Sequence, residues 1–462
     1  MLTVEIPYRD PFAAFQAFAD APFCAFLDSA AGGDPRARWS YIGVDPYEVI
    51  VADGDGVRRN GVRLPGTPFD VLAQALGPVR AGADGPVPFT GGAMGYLGYE
   101  LGRHLERLPA PRRSDPPVPE MVMGLYDSVL AFDLRERRAF IVSTGRPAEG
   151  EAARRRAEAR AAELTDRIAR APQVPPPPDF TLRGAFTPDQ PRAEVEAAIA
   201  RVIAYIRAGD IFQANLTHQM RAPVPPGLDD LALYARLRSI SPAPFAAFLR
   251  AGPELAVLSA SPERFLSLSR DGRVETRPIK GTRRRSPDPA EDARLAAALL
   301  ASPKDRAENL MIVDLMRNDL SRVSQVGSVK VPVLCGLETF ASVHHLVSVV
   351  ESRLMAGLGP VDLLKACFPG GSITGAPKIR AMEIIHELEP SPRGVYCGSV
   401  AWIGFDGAMD SSIVIRTITR SGDTLLTQAG GGIVADSDPA DEYEESLIKL
   451  APMLRALSGE PA

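Results

Sequence analysis

Strand-like and helix-like segments follow one another in this chain without a regular beat. Segments rich in β-branched residues run over 256–259, 329–334, 343–351, 395–405 and 411–419. Helical patterns fall between them, yet no strand–helix–strand spacing recurs. A doubly wound parallel sheet needs that recurrence, because each parallel connection takes about a dozen residues or more. The pattern predicts an α+β fold with antiparallel sheets. No internal repeat is present, which sets aside solenoids and propellers.

Residues 150–171 read as a helix rich in Arg, Ala and Glu, with charges at the spacing of a solvated face. Pro172, Val174 and then Pro175, Pro176, Pro177 and Pro178 follow. Consecutive prolines lack backbone donors and block the preceding turn, so the helix must end there. The chain divides accordingly into an N-terminal region, 1–170, a Pro-rich linker, 171–188, and a region, 189–462, that holds most of the candidate chemistry. A second helix is expected at about 190–208, with Val195, Ile199, Val202, Ile203 and Ile206 as its buried stripe.

The composition, 45% hydrophobic and 24% charged over 462 residues, is that of a globular protein. A net charge of -5 disfavours nucleic acid as a partner. Glu5, Arg9 and Asp10 interrupt any leader-like start, and no apolar run approaches the roughly 20 residues that cross a bilayer. Cys24, Cys335, Cys367 and Cys397 form no CxxC pair, so zinc and a disulfide framework are not expected and a reducing cytoplasm fits best.

Lys280 follows a short strand and sits between Pro278 and Gly281, which frame a turn. An amine is nucleophilic only when neutral, and at a pKa of about 10.4 that form is about 4–5 kcal/mol out of reach at pH 7. Burial or nearby cations must lower the value, and Arg277, Arg283, Arg284 and Arg285 are the candidate cations.

Two acidic segments open helices. Ser302, Pro303 and Asp305 read as N-cap, N1 and N3, with Glu308 one turn further on the same face. Asp438 and Pro439 open the second, where Glu442, Glu445 and Lys449 share one stripe. Converging acidic faces suit a hard cation such as Mg2+, and acids in a first turn also serve the helix dipole alone. Arg416 can grip a carboxylate in two-pronged fashion, while Gly430, Gly431 and Gly432 offer open backbone N–H groups. Thr374 precedes another helix start, where an anion is favoured. His344 and His345 lie side by side on a strand and must face opposite ways.

Several of these strings resemble the chorismate-utilising enzymes, the family of anthranilate, isochorismate, salicylate and aminodeoxychorismate synthases. They are Pro278-Ile279-Lys280-Gly281-Thr282, the run from Phe368 to Lys378, the acidic segments beginning at Asp305 and Asp441, and Ser261-Pro262-Glu263-Arg264-Phe265. The resemblance covers nearly the whole chain and is loosest over 47–85 and 140–185. It implies two packed antiparallel sheets flanked by helices. Anthranilate synthases carry alanine at the place of Lys280, so the lysine, with the wording Gly370-Gly371-Ser372-Ile373-Thr374, selects component I of the aminodeoxychorismate-forming branch.

The resemblance implies roles residue by residue. Lys280 would attack C2 of chorismate while Glu263 protonates the departing C4 hydroxyl. Glu308 and Glu445 match the direct magnesium ligands, and Asp305 and Glu442 the acids behind them. Thr282, His345, Thr374, Tyr396, Arg416, Gly430, Gly432 and Lys449 match substrate positions. Gln213 stands where isochorismate-forming relatives place a water-activating lysine, and an amide cannot serve as that base. Ammonia would come from a separate glutamine amidotransferase subunit, since no cysteine here sits in a Gly-x-Cys-x-Gly turn. Anthranilate formation and a non-catalytic chorismate-binding subunit are the alternatives. Ser29, Arg36, Ala37, Arg38 and Trp39, with Pro244, Phe245 and Ala246 opposite, occupy the place where relatives hold tryptophan. Phe26 and Asp28 depart from the relatives' wording there, and the segment reads equally as an ordinary strand and turn.

Overall fold

A computed structural model describes the chain except residues 33, 80–84, 111, 113, 340–342 and 461–462. Among the described residues two sheets form, each of 12 strands. The pairing throughout both is antiparallel, as the irregular strand spacing requires. The first sheet runs from Leu2–Ile6 through Phe245–Gly252 and Leu255–Ser261 to Thr424–Ile433 and Gln213–Pro223. The second runs from Ile279–Arg284 and Val343–Arg353 through Met409–Ile413, Ser399–Gly404 and Gly92–Leu97 to Val62–Leu64.

Alternation along the strands explains why the sheets stack. In Ser128–Asp133, Val129 and Ala131 face the second sheet, while Leu130 and Phe132 face the helices outside. In Met121–Tyr126, Val122 and Tyr126 face inward, and Met121, Met123 and Leu125 face out. One core therefore fills the space between the sheets, around Tyr41, Phe89, Tyr96 and Val257. A core outside each sheet is closed by helices, Pro303–Ser321 and Pro360–Cys367 on the second and Gly150–Ala169 and Pro439–Ser458 on the first. Each fully buried Phe or Ile in these layers stabilises the fold by about 1.5–3 kcal/mol.

Strands from both sides of the Pro-rich segment enter both sheets: Ala25–Asp28 pairs with Phe245–Gly252, and Gly92–Leu97 pairs with Ser399–Gly404. The helix before the prolines ends at Ala169, and the next spans Arg192–Ala208 with Val195, Ile199, Val202 and Ile203 buried and Ile206 only partly so. No helix among the described residues is long and apolar enough to cross a membrane.

Three expectations change. The run 411–419 is not one strand, because it ends in the second sheet at Ile413 and resumes in the first at Thr417. Arg416 makes that crossing with φ 51. In 395–405 only Ser399–Gly404 is strand, and Tyr396 and Cys397 form the turn before it, Cys397 with φ 60. Lys280 is not in a turn. It lies within the strand Ile279–Arg284, at a bulge where the register against Val343–Arg353 slips between Ile279 and Thr282. Gly281, at φ 82, absorbs the extra residue.

Candidate active site

The bulge turns Lys280 toward the meeting edges of the two sheets. Its Nζ donates to the Ser372 carbonyl at 3.3 Å. A Cβ placed on Gly432, in the first sheet, would fall 3.4 Å from the same Nζ and 2.1 Å from Gln213 Nε2. Gln213 is buried, and neither polar atom of its amide has a partner among the described residues. Lys280, Ser372, Gln213 and Gly432 therefore line one small space drawn from both sheets.

Burial lowers the Lys280 amine below its ordinary value of 10.5; Glu308 and Glu263 work against that shift, and Lys449 adds to it. The arginines expected to help are engaged elsewhere. Arg277 pairs with Glu338, Arg283 with Asp305 at 3.0 Å, Arg284 with Glu291 at 3.4 Å and Arg285 with Asp292 at 2.9 Å. Desolvation, not the density of neighbouring arginines, is the main cause of that lowering.

Glu263 follows the buried strand Leu255–Ser261 and is itself buried. Burial pushes its carboxyl up to about 7, against a hydrogen bond from the Ser372 side chain and the charges of Lys280 and Arg36. It thus holds a proton in the range where a general acid is useful. Ser372 touches both groups, its side chain on Glu263 and its carbonyl on Lys280.

The two acidic helices converge from opposite sheets. Ser302 caps the first, accepting from Asp305 N at 3.3 Å. The Glu308 carboxyl is raised by burial, with Lys280 and Lys304 opposing and Asp305 and Glu442 reinforcing, and among the described residues it has no hydrogen-bond or ion-pair partner. Burial works to raise Glu445 too, but Lys449, at 2.8 Å, holds it below the ordinary value. Glu442 bonds Ser437 at 2.7 Å and Lys304 at 3.4 Å. No cage of three or more ligating side chains forms among the described residues. An unpartnered Glu308 that shares the charges of Lys280 and Lys304 with Glu445 fits the alternative that Mg2+ prefers, one or two carboxylates with the remaining positions left to water and substrate.

A cationic patch adjoins. His345 bonds Thr282 Oγ1 at 2.9 Å, and its imidazole is pushed down to about 4 by burial, then by Arg416 and Arg36, so it is neutral. The half-buried Arg416 guanidinium has no side-chain partner among the described residues, and burial lowers its value. Lys449 Nζ also bonds the Gly430 carbonyl at 2.8 Å. His344 faces away, between Thr339 at 2.9 Å and Asp292 at 3.0 Å. Thr374 does not present its side chain at the helix start. It is fully buried, with its hydroxyl on the Gly370 carbonyl at 3.0 Å. Tyr396 is buried beside Cys397 in the core beneath the second sheet.

A cavity of about 640 Å³ opens between the sheets beside this site. Ser29, Arg36, Arg38, Trp39, Pro244, Phe245 and Ala246 line it, whereas Ala37 does not. Ser29 Oγ donates to the Trp39 carbonyl at 2.7 Å, and Arg36 is paired with Asp34 at 2.8 Å. Sequence reasoning missed Ser372 and Lys304, although Ser372 lies inside a string already singled out.

A buried acid, a desolvated amine, two carboxylates that share Lys280 and Lys304, and an arginine without a side-chain partner among the described residues lie together where the two sheets meet. The family model for chorismate binding enzyme matches residues 23–455, and the chain belongs to that family. Within it, aminodeoxychorismate synthase component 1 of Klebsiella aerogenes is 42% identical over 98% of this chain and 98% of its own. Anthranilate synthase component 1 of Streptomyces coelicolor is 39% identical over 97% of this chain and 86% of its own. The solved anthranilate synthase component I of Streptococcus pneumoniae superposes with a TM-score of 0.81 at 32% identity, covering 90% of this chain and 92% of that one. Identity of 42% against 39% does not separate the two activities, so the residues at the site must.

Proposed function

We propose that this protein is the chorismate-using component of an aminodeoxychorismate synthase, joining chorismate and ammonia to give 4-amino-4-deoxychorismate. Lys280, desolvated and bonded to the loop that also holds Glu263, carries this reading. Its amine, in the neutral form, attacks C2 as the ring double bonds shift, and the C4 hydroxyl leaves as water with the proton of Glu263. Ammonia then attacks C4, the double bonds shift back, and the lysine departs from C2. The hard displacement is divided into two easier ones.

Arg416 and Lys449 receive the substrate carboxylates, and neutral His345 with Thr282 donates without adding charge. Glu308 and Glu445 would hold Mg2+, with Asp305 and Glu442 behind them; when bound, the ion supplies positive charge for a carboxylate. Ammonia is delivered by a separate glutamine amidotransferase subunit. The cavity lined by Ser29, Trp39 and Phe245 has the volume for one amino acid and is the place for tryptophan. Anthranilate formation is the competing reading, favoured by the 39% identity of that relative, and a lysine beside C2 stands in its way.

Liquid chromatography with mass spectrometry tests the choice after incubation with chorismate, Mg2+ and ammonium. A product that keeps the enolpyruvyl group and gains an amine is expected. Anthranilate with pyruvate would overturn the reading.

A further inference from the structure

Behind the Ser372 loop lies an ion pair that the chemistry above does not use. Arg393 is 3% exposed and Glu389 is 6% exposed. Arg393 Nε and Nη2 donate to the two Glu389 oxygens at 2.9 and 2.7 Å. Nη1 donates to the Ile373 carbonyl at 2.8 Å and Nη2 to the Asn215 carbonyl at 2.5 Å. The guanidinium lies 4.5 Å from the Tyr99 ring centroid. Glu389 in turn accepts from Thr217 N and Thr217 Oγ1, both at 2.9 Å. The Arg393 carbonyl accepts from Gln428 Nε2 at 3.1 Å, and its N–H reaches Glu100 at 2.8 Å.

Three of the elements so tied carry a group at the site. Ile373 adjoins Ser372, which touches Glu263 and Lys280. Asn215 and Thr217 lie on the strand that begins at Gln213, and Gln428 lies on the strand of Gly430 and Gly432. Asn215 N closes the circuit by donating to the Thr374 carbonyl at 2.7 Å. A buried ion pair gains little net stability over a well-packed apolar pair, since desolvation offsets the attraction. What it supplies is one fixed arrangement, with each guanidinium nitrogen and both carboxylate oxygens bonded.

We propose that Arg393 and Glu389 are positioning residues that hold the Ser372 loop against the Gln213 strand, and so set Glu263 and Lys280 at working distance. The proposal rests on the reading that those two groups carry the reaction. Neither residue touches substrate.

Arg393→Lys keeps the charge and loses the fork, while Glu389→Gln keeps the shape and loses the charge. In either variant kcat is expected to fall about 10- to 100-fold, the penalty of slight misplacement, with KM for chorismate changed less than about threefold. Combined with Ser372→Ala, the loss should be smaller than the product of the single losses, because the pair acts through that loop. Losses that simply multiply, or a kcat drop that only tracks the fraction unfolded, would overturn the proposal. The labelling rate of Lys280 by an amine reagent reads the same geometry without turnover. It should change in both variants, and an unchanged rate in the folded variants contradicts the proposal. If the wild-type protein makes no aminodeoxychorismate, the functional reading fails, and the labelling result still judges the positioning claim.

Discussion

Glu263 and Lys280 are asked for opposite protonation states, one holding its proton and the other free of it. Burial drives both in the needed direction, the acid up to about 7 and the amine below 10.5. The competent fraction rises with pH until the lower of the two values is passed, stays level between them, and falls above the higher. We therefore expect the kcat/KM profile to break at about pH 7; a break at the ordinary carboxyl value near 4.5 instead would contradict the raised acid. Glu263→Gln should lose about 10²- to 10⁴-fold in kcat, the usual worth of a placed proton donor. That these two residues belong together was legible in the sequence through the resemblance, whereas the place of Lys280 within a strand was not. Their environments were not, because burial is made by parts of the chain far apart, and because Arg277, Arg283, Arg284 and Arg285 find acids that lie far from them in sequence or on neighbouring helices.

At the scale of the element, strand edges and helix ends decide the site. The helix starts at Ser302 and Asp438 were readable from their caps, since Ser or Asp before Pro is a local signal. The bulge at Lys280 and the crossing at Arg416 were not, because each is a register relation with a distant strand. Two glycines on one strand make a contrasting pair. A Cβ on Gly430 would fall 1.9 Å from the Leu216 carbonyl in the backbone of the paired strand. Gly430→Ala should therefore destabilise the fold by about 1–3 kcal/mol, read as a lowered Tm. On Gly432 the atoms nearest the added carbon are the side-chain ends of Gln213 and Lys280. Gly432→Ala should melt near the wild type and lose most activity. Equal effects of the two on Tm would show that the strand, not the site, governs both.

At the scale of the whole molecule, the Pro-rich segment is a boundary in sequence across which both sheets are continuous. Proteolytic nicking between 172 and 186 should leave two fragments that co-elute on gel filtration, and their separation without denaturant would refute the shared sheets. The same arrangement places all the residues of the proposed chemistry on this one chain, so on that reading the first step needs no partner. The most direct test is mass spectrometry of the chain incubated alone with chorismate and Mg2+, quenched before any ammonia is added. The account predicts an adduct of chorismate less one water on the peptide containing Lys280, discharged by ammonium and absent from Lys280→Ala. No adduct, or one that survives in Lys280→Ala, would contradict it.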